Sequence, residues 1–256
     1  MSTTADDGGI LPRVMHILSC FTADDNELGA SQLAERTGLS PSTLHRLTSQ
    51  LIDYGLLSRV PGRRYALGDR LFELGELSPL SLRLRETALP HMQRLYEATG
   101  ENVHLAVLDG TDPRGAAALF VGRVTGHGSI PTLTRMGGRQ ALHAVGTGKA
   151  MLAAQTDEWI DEYCRWPLVH ETVNTLTTPE QVRADVAATR SRGYAVAREE
   201  MTLGNVSIGA TLGTAPGLPL GALGVVVKLD RADERRLGAL VRQSAGDLTR
   251  ALRSAA

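Results

Sequence analysis

Leu33-Ala34-Glu35-Arg36-Thr37-Gly38-Leu39-Ser40-Pro41-Ser42-Thr43-Leu44-His45-Arg46-Leu47 is the stretch on which the fold turns. Gly38 suits the left-handed position that ends a helix, so Gly38-Leu39-Ser40 reads as a three-residue turn. Ser40 is a good N-cap and Pro41 fits the first position of a new helix, where its missing N–H costs nothing. Leu44, Leu47, Leu51 and Ile52 then form an inward stripe at helical spacing that stops at Gly55, about four turns in all. Upstream, Leu33 and Ala34, with Leu28 before them, mark a second helix, and Pro12, Val14, Ile17, Leu18 and Phe21 mark a first. Downstream, Leu56–Val60 and Arg64–Leu67 flank Pro61-Gly62-Arg63, a tight turn between two short strands. Helix, turn, helix and a two-stranded wing make a winged helix-turn-helix, a layout that lays its third helix in a DNA groove.

The chemistry of that third helix agrees. With Leu44, Leu47 and Leu51 on one face, Ser42, Arg46, Ser49 and Asp53 fall on the other, flanked by Thr43, His45 and Gln50. Small hydroxyls at Ser40, Ser42 and Thr43 permit close approach to phosphate at the helix N-terminus, and the planar fork of Arg46 can take a guanine bidentately. Arg63 and Arg64 at the wing suit phosphate contact or the minor groove. Taken singly, each is equally a solvated surface residue; the layout as a whole favours double-stranded DNA as the partner. Asp53 would repel phosphate, so it is expected beyond the contact zone.

Charge distribution points the same way, although the net charge of the 256 residues is only −1. Residues 1–35 hold one base, Arg13, against six acids, whereas residues 36–70 hold six arginines against Asp53 and Asp69. At 42% hydrophobic and 21% charged, the chain is ordinary globular material, long enough to bury its core without disulfides. The longest apolar run, Leu220–Val227, is strand-sized, so no membrane partner is expected. The acidic N-terminus is unlike a signal peptide, and Cys20 and Cys164 fit no disulfide framework; a cytoplasmic protein with two buried free thiols is expected.

From Asp69 to Ala98 the pattern is helical with interruptions at Pro79 and Pro90: a linker helix, a break, and the first helix of a second domain closing at Thr99-Gly100. Beyond, alternation predicts strands at Val103–Leu108, Ala118–Val124, Thr132–Arg135, Tyr194–Arg198, Val206–Leu212 and Ala222–Val227. Helices are expected near Thr147–Ala154, Thr156–Tyr163, Pro179–Arg192 and Arg231–Leu252. The expected order is therefore residues 1–8 disordered, 9–69 a mainly α winged helix-turn-helix, 70–84 a linker helix, and 85–256 an α+β domain.

The run Leu33–Leu47, with Gly55-Leu-Leu and Tyr65-Ala-Leu-Gly68, resembles the N-terminal domain of IclR-family transcriptional regulators. Gly138-Arg139, Leu142-His-Ala144, Gly148-Lys-Ala-Met-Leu152, Arg192-Gly-Tyr-Ala-Val196 and Glu199-Glu200 extend the likeness over nearly the whole chain. The resemblance implies a GAF-like effector-binding second domain and a homodimer or dimer of dimers on a palindromic operator. It also implies an effector carboxylate on the backbone amides of Gly146 and Thr147, with side chains at Ala197, Ser207, Gly224 and Val226 around the ligand. Of those four only Ser207 is polar. The pocket is therefore expected to be larger and more apolar than one for a small oxoacid, and to take an organic acid or amide with an aromatic or aliphatic body. The resemblance is to a family in which many members repress and some activate, and a repressor is expected; a constitutive DNA binder without effector, or an enzyme in the second domain, are the alternatives.

Features that could carry catalysis are weak. Gly146-Thr-Gly-Lys149 would put His143 and Ala150 where a phosphate loop needs glycine and a hydroxyl, although a Gly-rich helix start still favours an anion, or simply close packing. Cys164 with His170 is a possible thiol nucleophile, but Trp166 and Pro167 between them look like packing. Glu199 and Glu200, if on a strand, point to opposite faces. The seven histidines show no ligand spacing, so no metal, cofactor or catalytic residue is expected; His143 is read as a structural histidine or an effector contact.

Overall fold

The computed structural model describes residues 9–126 and 134–254. It divides into two compact units, Met1–Ser78 and Pro79–Ala256. The expectation of disorder over residues 1–8 lies outside the described residues.

The first unit runs α1 (Ile10–Ser19), β1 (Leu28–Gly29), α2 (Ala30–Thr37), α3 (Pro41–Asp53), β2 (Leu57–Val60), β3 (Arg64–Leu67) and α4 (Asp69–Glu76). Gly38 ends α2 in the left-handed conformation, with its N–H on the Ala34 carbonyl. Ser40 Oγ accepts the Thr43 N–H at 3.3 Å and Pro41 opens α3. Ile17, Leu28, Leu33, Leu44, Leu47, Leu51 and Leu57 form one buried core, each contributing roughly 1.5–3 kcal/mol by leaving water. The expected two-stranded wing has a third strand: Leu28 pairs with Tyr65 and Gly29 with Arg64, giving the order β1-β3-β2. Leu28 is therefore a strand residue ahead of α2; two residues are too few to show an alternation.

The linker helix expected over 70–84 is not one element. α4 stops at Glu76 and Leu80–Arg85 forms a wide π-helical segment leading directly into α5 (Glu86–Thr99). Pro79 breaks the helix as expected, but Pro90 sits inside α5. Pro90 has no N–H to give the Glu86 carbonyl one turn back, so α5 runs on with one bond of its ladder missing.

The second unit is a six-stranded antiparallel sheet, β6-β5-β4-β9-β8-β7, formed by β4 (Asn102–Asp109), β5 (Ala117–Val124), β6 (Arg139–Ala141), β7 (Ala195–Arg198), β8 (Asn205–Thr211) and β9 (Gly221–Lys228). α5 and α9 (Glu234–Ser254) cover one face, burying Met92, Leu95, Val241 and Leu248 on Leu105, Ile208, Leu223 and Val225. α6 (Gly146–Ala153), α7 (Asp157–Cys164) and α8 (Pro179–Arg192) lie with the second cluster, which includes Met151, Leu152, Ile160, Val186 and Ala222. α8 shows its cause in sequence. The Thr178 hydroxyl accepts the Gln181 N–H, Gln181 Oε1 accepts the Thr178 N–H, and Gly193 closes the helix with positive φ.

One expected strand is corrected. Thr132 and Leu133 lie outside the described residues, and Thr134 and Arg135 are not in a strand. A turn at Gly137-Gly138 exchanges hydrogen bonds with Phe120, and the edge strand forms after it, at Arg139–Ala141. Three residues beginning with an arginine carry no readable period.

Candidate nucleic-acid interface and ligand cleft

α3 carries its leucines inward, so Ser42, His45, Arg46 and Gln50 are exposed and Thr43 and Ser49 half-exposed. Arg46 reaches Gln50 Oε1 at 3.5 Å, a weak bond that leaves the guanidinium available. Ser40 differs from its neighbours. Its hydroxyl caps α3 and donates to Thr43 Oγ1 at 2.9 Å, so its first role is to start the helix. The two wing arginines also separate. Arg63 stands at the exposed tip with φ 58°, whereas Arg64 opens β3, lies 3.3 Å from Glu27 Oε2 and donates to the Glu27 carbonyl. Half of the expected wing charge is thus paired within the unit.

In the second unit, Ala197, Ser207 and Val226 form one row across three strands, Ala197 opposite Ser207 and Ser207 opposite Val226. All three line a cleft of about 470 Å³, measured out to its mouth. Gly146, Thr147 and Gly224 are not among its lining residues; they stand behind it. A Cβ on Gly146 would be 2.6 Å from the Ser207 carbonyl oxygen, and one on Gly224 2.8 Å from Thr147 Cγ2. The glycines there let α6 lie backbone to backbone on the sheet. The Gly146 N–H donates to Ser207 Oγ at 3.1 Å, which holds that hydroxyl at the cleft with its own hydrogen free for another acceptor.

The rest of the lining was not foreseen. His104, from the middle of β4, and Glu200, just after β7, both line the cleft, with exposures of 2% and 6%. Glu200 Oε1 accepts from Lys149 Nζ at 2.6 Å and from the Arg198 N–H at 3.2 Å, while Oε2 is buried without a hydrogen-bond partner. His104 Nε2 is likewise buried and unpartnered. Burial pushes the His104 imidazole down to about 4, helped by the positive charge of Arg123, so the ring is neutral near pH 7. Burial also pushes the Glu200 carboxyl up, opposed by Lys149. A groove in the first unit between Ala34, Leu44, His45 and Tyr65 is roomier, but none of its lining side chains is buried and unpartnered.

Other candidates resolve into structure. His143 bonds Tyr163 Oη at 2.7 Å and the Val169 carbonyl at 2.9 Å, which occupies both ring nitrogens. Burial raises the Cys164 thiol, away from the thiolate a nucleophile needs, and His170 is exposed. Glu199 and Glu200 do diverge, though not by strand alternation. Both follow the end of β7; Glu199 takes φ 56° and accepts the Gly204 N–H, while Glu200 turns inward. Lys149 is buried on Glu200, Asp185 Oδ1 (3.4 Å) and the Val196 carbonyl, an internal ion pair rather than a phosphate ligand. Among the described residues, no helix is long and apolar enough to cross a membrane.

Known proteins share this arrangement from end to end. Residues 11–61 match the IclR helix-turn-helix domain and residues 79–250 the bacterial transcriptional regulator IclR C-terminal domain. The transcriptional repressor IclR of Escherichia coli is 29% identical over 244 residues, 93% of this chain and 88% of its own length. The regulator BhcR of Paracoccus denitrificans is 32% identical, covering 92% of this chain and 84% of its own. An IclR homolog from Microbacterium hydrocarbonoxydans, crystallised in complex with 4-hydroxybenzoate, superposes with a TM-score of 0.87 at 31% identity, over 96% of this chain and all of its own. Since both domain models match in order and together span most of the residues, the chain belongs to the IclR family of transcriptional regulators.

Proposed function

We propose that the protein is an effector-responsive repressor, in which residues 9–69 read a palindromic operator through α3 and the cleft of the second unit takes an organic acid with an aromatic body. The observation that carries this reading is the pairing of an exposed polar face on a capped α3 with a cleft lined by Phe120, Val145, Ala197, Met201 and Val226 around Ser207. The 4-hydroxybenzoate in the Microbacterium relative supports an aromatic acid. Met201, an unbranched and flexible side chain of the lining, can adapt to the ring. The test is fluorescence anisotropy on DNA from upstream of the protein's own gene against a scrambled duplex, at several salt concentrations. Selective binding with a steep salt slope, reversed by an aromatic acid, supports the reading. Equal affinity for both duplexes, also after selection from random sequence, overturns it.

Two outcomes are expected in that assay. Arg46→Ala costs about 1–3 kcal/mol and relaxes preference at one base per half-site, whereas Arg63→Ala weakens all sequences alike and lowers the salt slope by roughly one. Equal effects of both, with preference unchanged, would remove α3 from the reading role.

A homodimer or tetramer is part of the proposal. α4 buries no residue within its unit, and Phe72 and Leu77 are 71% and 67% exposed. A second copy of the chain is the occupant argued for, because a symmetric operator requires two reading heads. Phe72→Glu with Leu77→Glu is expected to lower the mass seen by sedimentation velocity and weaken operator binding at least tenfold. Unchanged mass and affinity would place the subunit contact elsewhere.

A further inference from the structure

The cleft carries its charge on one side chain. Among the described residues that line it there is no lysine or arginine, His104 is neutral near pH 7, and Glu200 is the one carboxyl. Glu200 Oε1 is engaged by Lys149 Nζ and the Arg198 N–H, which favour the ionised form, whereas Oε2 is buried without a hydrogen-bond partner.

The charges packed around Glu200 are already matched to one another. From α6 comes Lys149, which Asp185 of α8 shares at 3.4 Å, and Arg192 of α8 lies 4.0 Å from Asp185. The Arg198 guanidinium, at the end of β7, is turned to Glu234 of α9, and Glu199 accepts the Gly204 N–H. Ahead of α8, the Thr175 hydroxyl donates to the Glu200 carbonyl. Across the sheet, Arg123 of β5 stands beside His104 of β4 and donates to the Thr134 carbonyl at 3.3 Å.

An acid entering this cleft therefore puts a second negative charge near Glu200, between the apolar walls of Phe120, Val145 and Val226, where water screens poorly. A buried carboxyl with one oxygen unpartnered can remove that repulsion by accepting a proton, and its Oε2 then turns from acceptor to donor. Burial already pushes the Glu200 carboxyl up, and the charge of the ligand acts in the same direction. Resting on the reading of the cleft as an organic-acid site, we infer that Glu200 is its charge filter: each acid binds together with one proton from solvent, taken up on Glu200 Oε2. The cleft thereby selects ligands with a single negative charge, because a second would need a second proton and no other carboxyl among the described lining residues can take it.

Calorimetric titration of the full-length protein with benzoate, in buffers of different ionisation enthalpy, counts the protons. Benzoate is ionised throughout pH 7–8, and benzamide is its uncharged match. The expected result is uptake of about one proton per benzoate at pH 7, with affinity falling about tenfold from pH 7 to pH 8, and no uptake with benzamide. Glu200→Gln, which keeps the shape and leaves Lys149 its contact to Asp185, is expected to abolish both the uptake and the pH slope for benzoate. His104→Gln is expected to keep both. Benzoate binding without proton uptake, or equal uptake with benzamide, would overturn the charge filter while the organic-acid reading stands. No binding of benzoate at millimolar concentration would overturn both. Uptake that persists in folded Glu200→Gln, or is lost in His104→Gln, would take the proton away from Glu200 and overturn the assignment. Should Glu200→Gln not fold, infrared difference spectra of the wild type with carboxyl-13C benzoate decide: a new protonated-carboxyl band from the protein is expected, and its absence overturns the inference.

Discussion

Lys149→Met is expected to destabilise the protein by about 3–5 kcal/mol at neutral pH, because it leaves the buried Glu200 carboxylate without its countercharge. Lys149 is 2% exposed and its ammonium is 2.6 Å from Glu200 Oε1. Burial alone already pushes the Glu200 carboxyl up, and Lys149 is the main opposing influence. Without it the folded-state value rises further. A carboxyl whose folded value lies above its unfolded value of about 4.3 favours folding when protonated and loses that advantage as pH rises through the folded value. The deficit of the variant is therefore largest near pH 8 and shrinks towards pH 5. Urea unfolding at the two pH values checks this. A deficit independent of pH would mean that the lost packing of the lysine stem, not the charge, is responsible. Adding Glu200→Leu is expected to recover much of the loss, since an apolar pair of similar volume removes the buried charge altogether.

Gly209→Ala should cost about 3 kcal/mol or more despite adding one methyl group. Its Cβ would lie 2.4 Å from the Gly146 carbonyl oxygen and 2.6 Å from the Thr147 nitrogen. Both are backbone atoms at the start of α6, so no side chain can swing aside and the helix has to lift off β8. That displacement also breaks the Gly146 N–H bond to Ser207 Oγ, so ligand affinity falls together with melting temperature. Gly75→Ala is the matched control. Nothing lies within 4 Å of the added carbon, φ is not positive, and the position is an exposed turn of α4, so alanine should be neutral or stabilising by up to about 1 kcal/mol. Similar thermal shifts for the two variants would show that α6 and β8 adapt more freely than their spacing implies.

The two sites differ in how readily they could be read. α3 is local: Ser40, Pro41, the leucine stripe and Gly38 lie within a few residues of one another, and each acts on the backbone beside it. The same holds for α8, capped by its own Thr178 and Gln181. The cleft is assembled from β4, β5, β7, β8, β9 and the turn before α6. Ala197, Ser207 and Val226 were placed there through the family resemblance, and the sheet register brings them into one row. His104 escaped notice because β4 is buried on both faces, so a polar residue in it has no alternation to betray it. In the sequence Glu200 is one of two adjacent acids that, on a strand, point to opposite faces. Its burial depends on Lys149, 51 residues away in sequence.

Sequence by itself therefore determined the capped helices, the winged helix-turn-helix and the residues on the exposed face of α3, because helix caps, turns and amphipathic periods are interactions between near neighbours. Tertiary structure alone decided that Arg64 is spent on Glu27, that Gly146 and Gly209 serve close packing, and that Glu200 and His104 face a ligand cleft. Those outcomes rest on contacts between segments distant in the chain, where burial and the pairing of charge, rather than local propensity, set what each side chain can do.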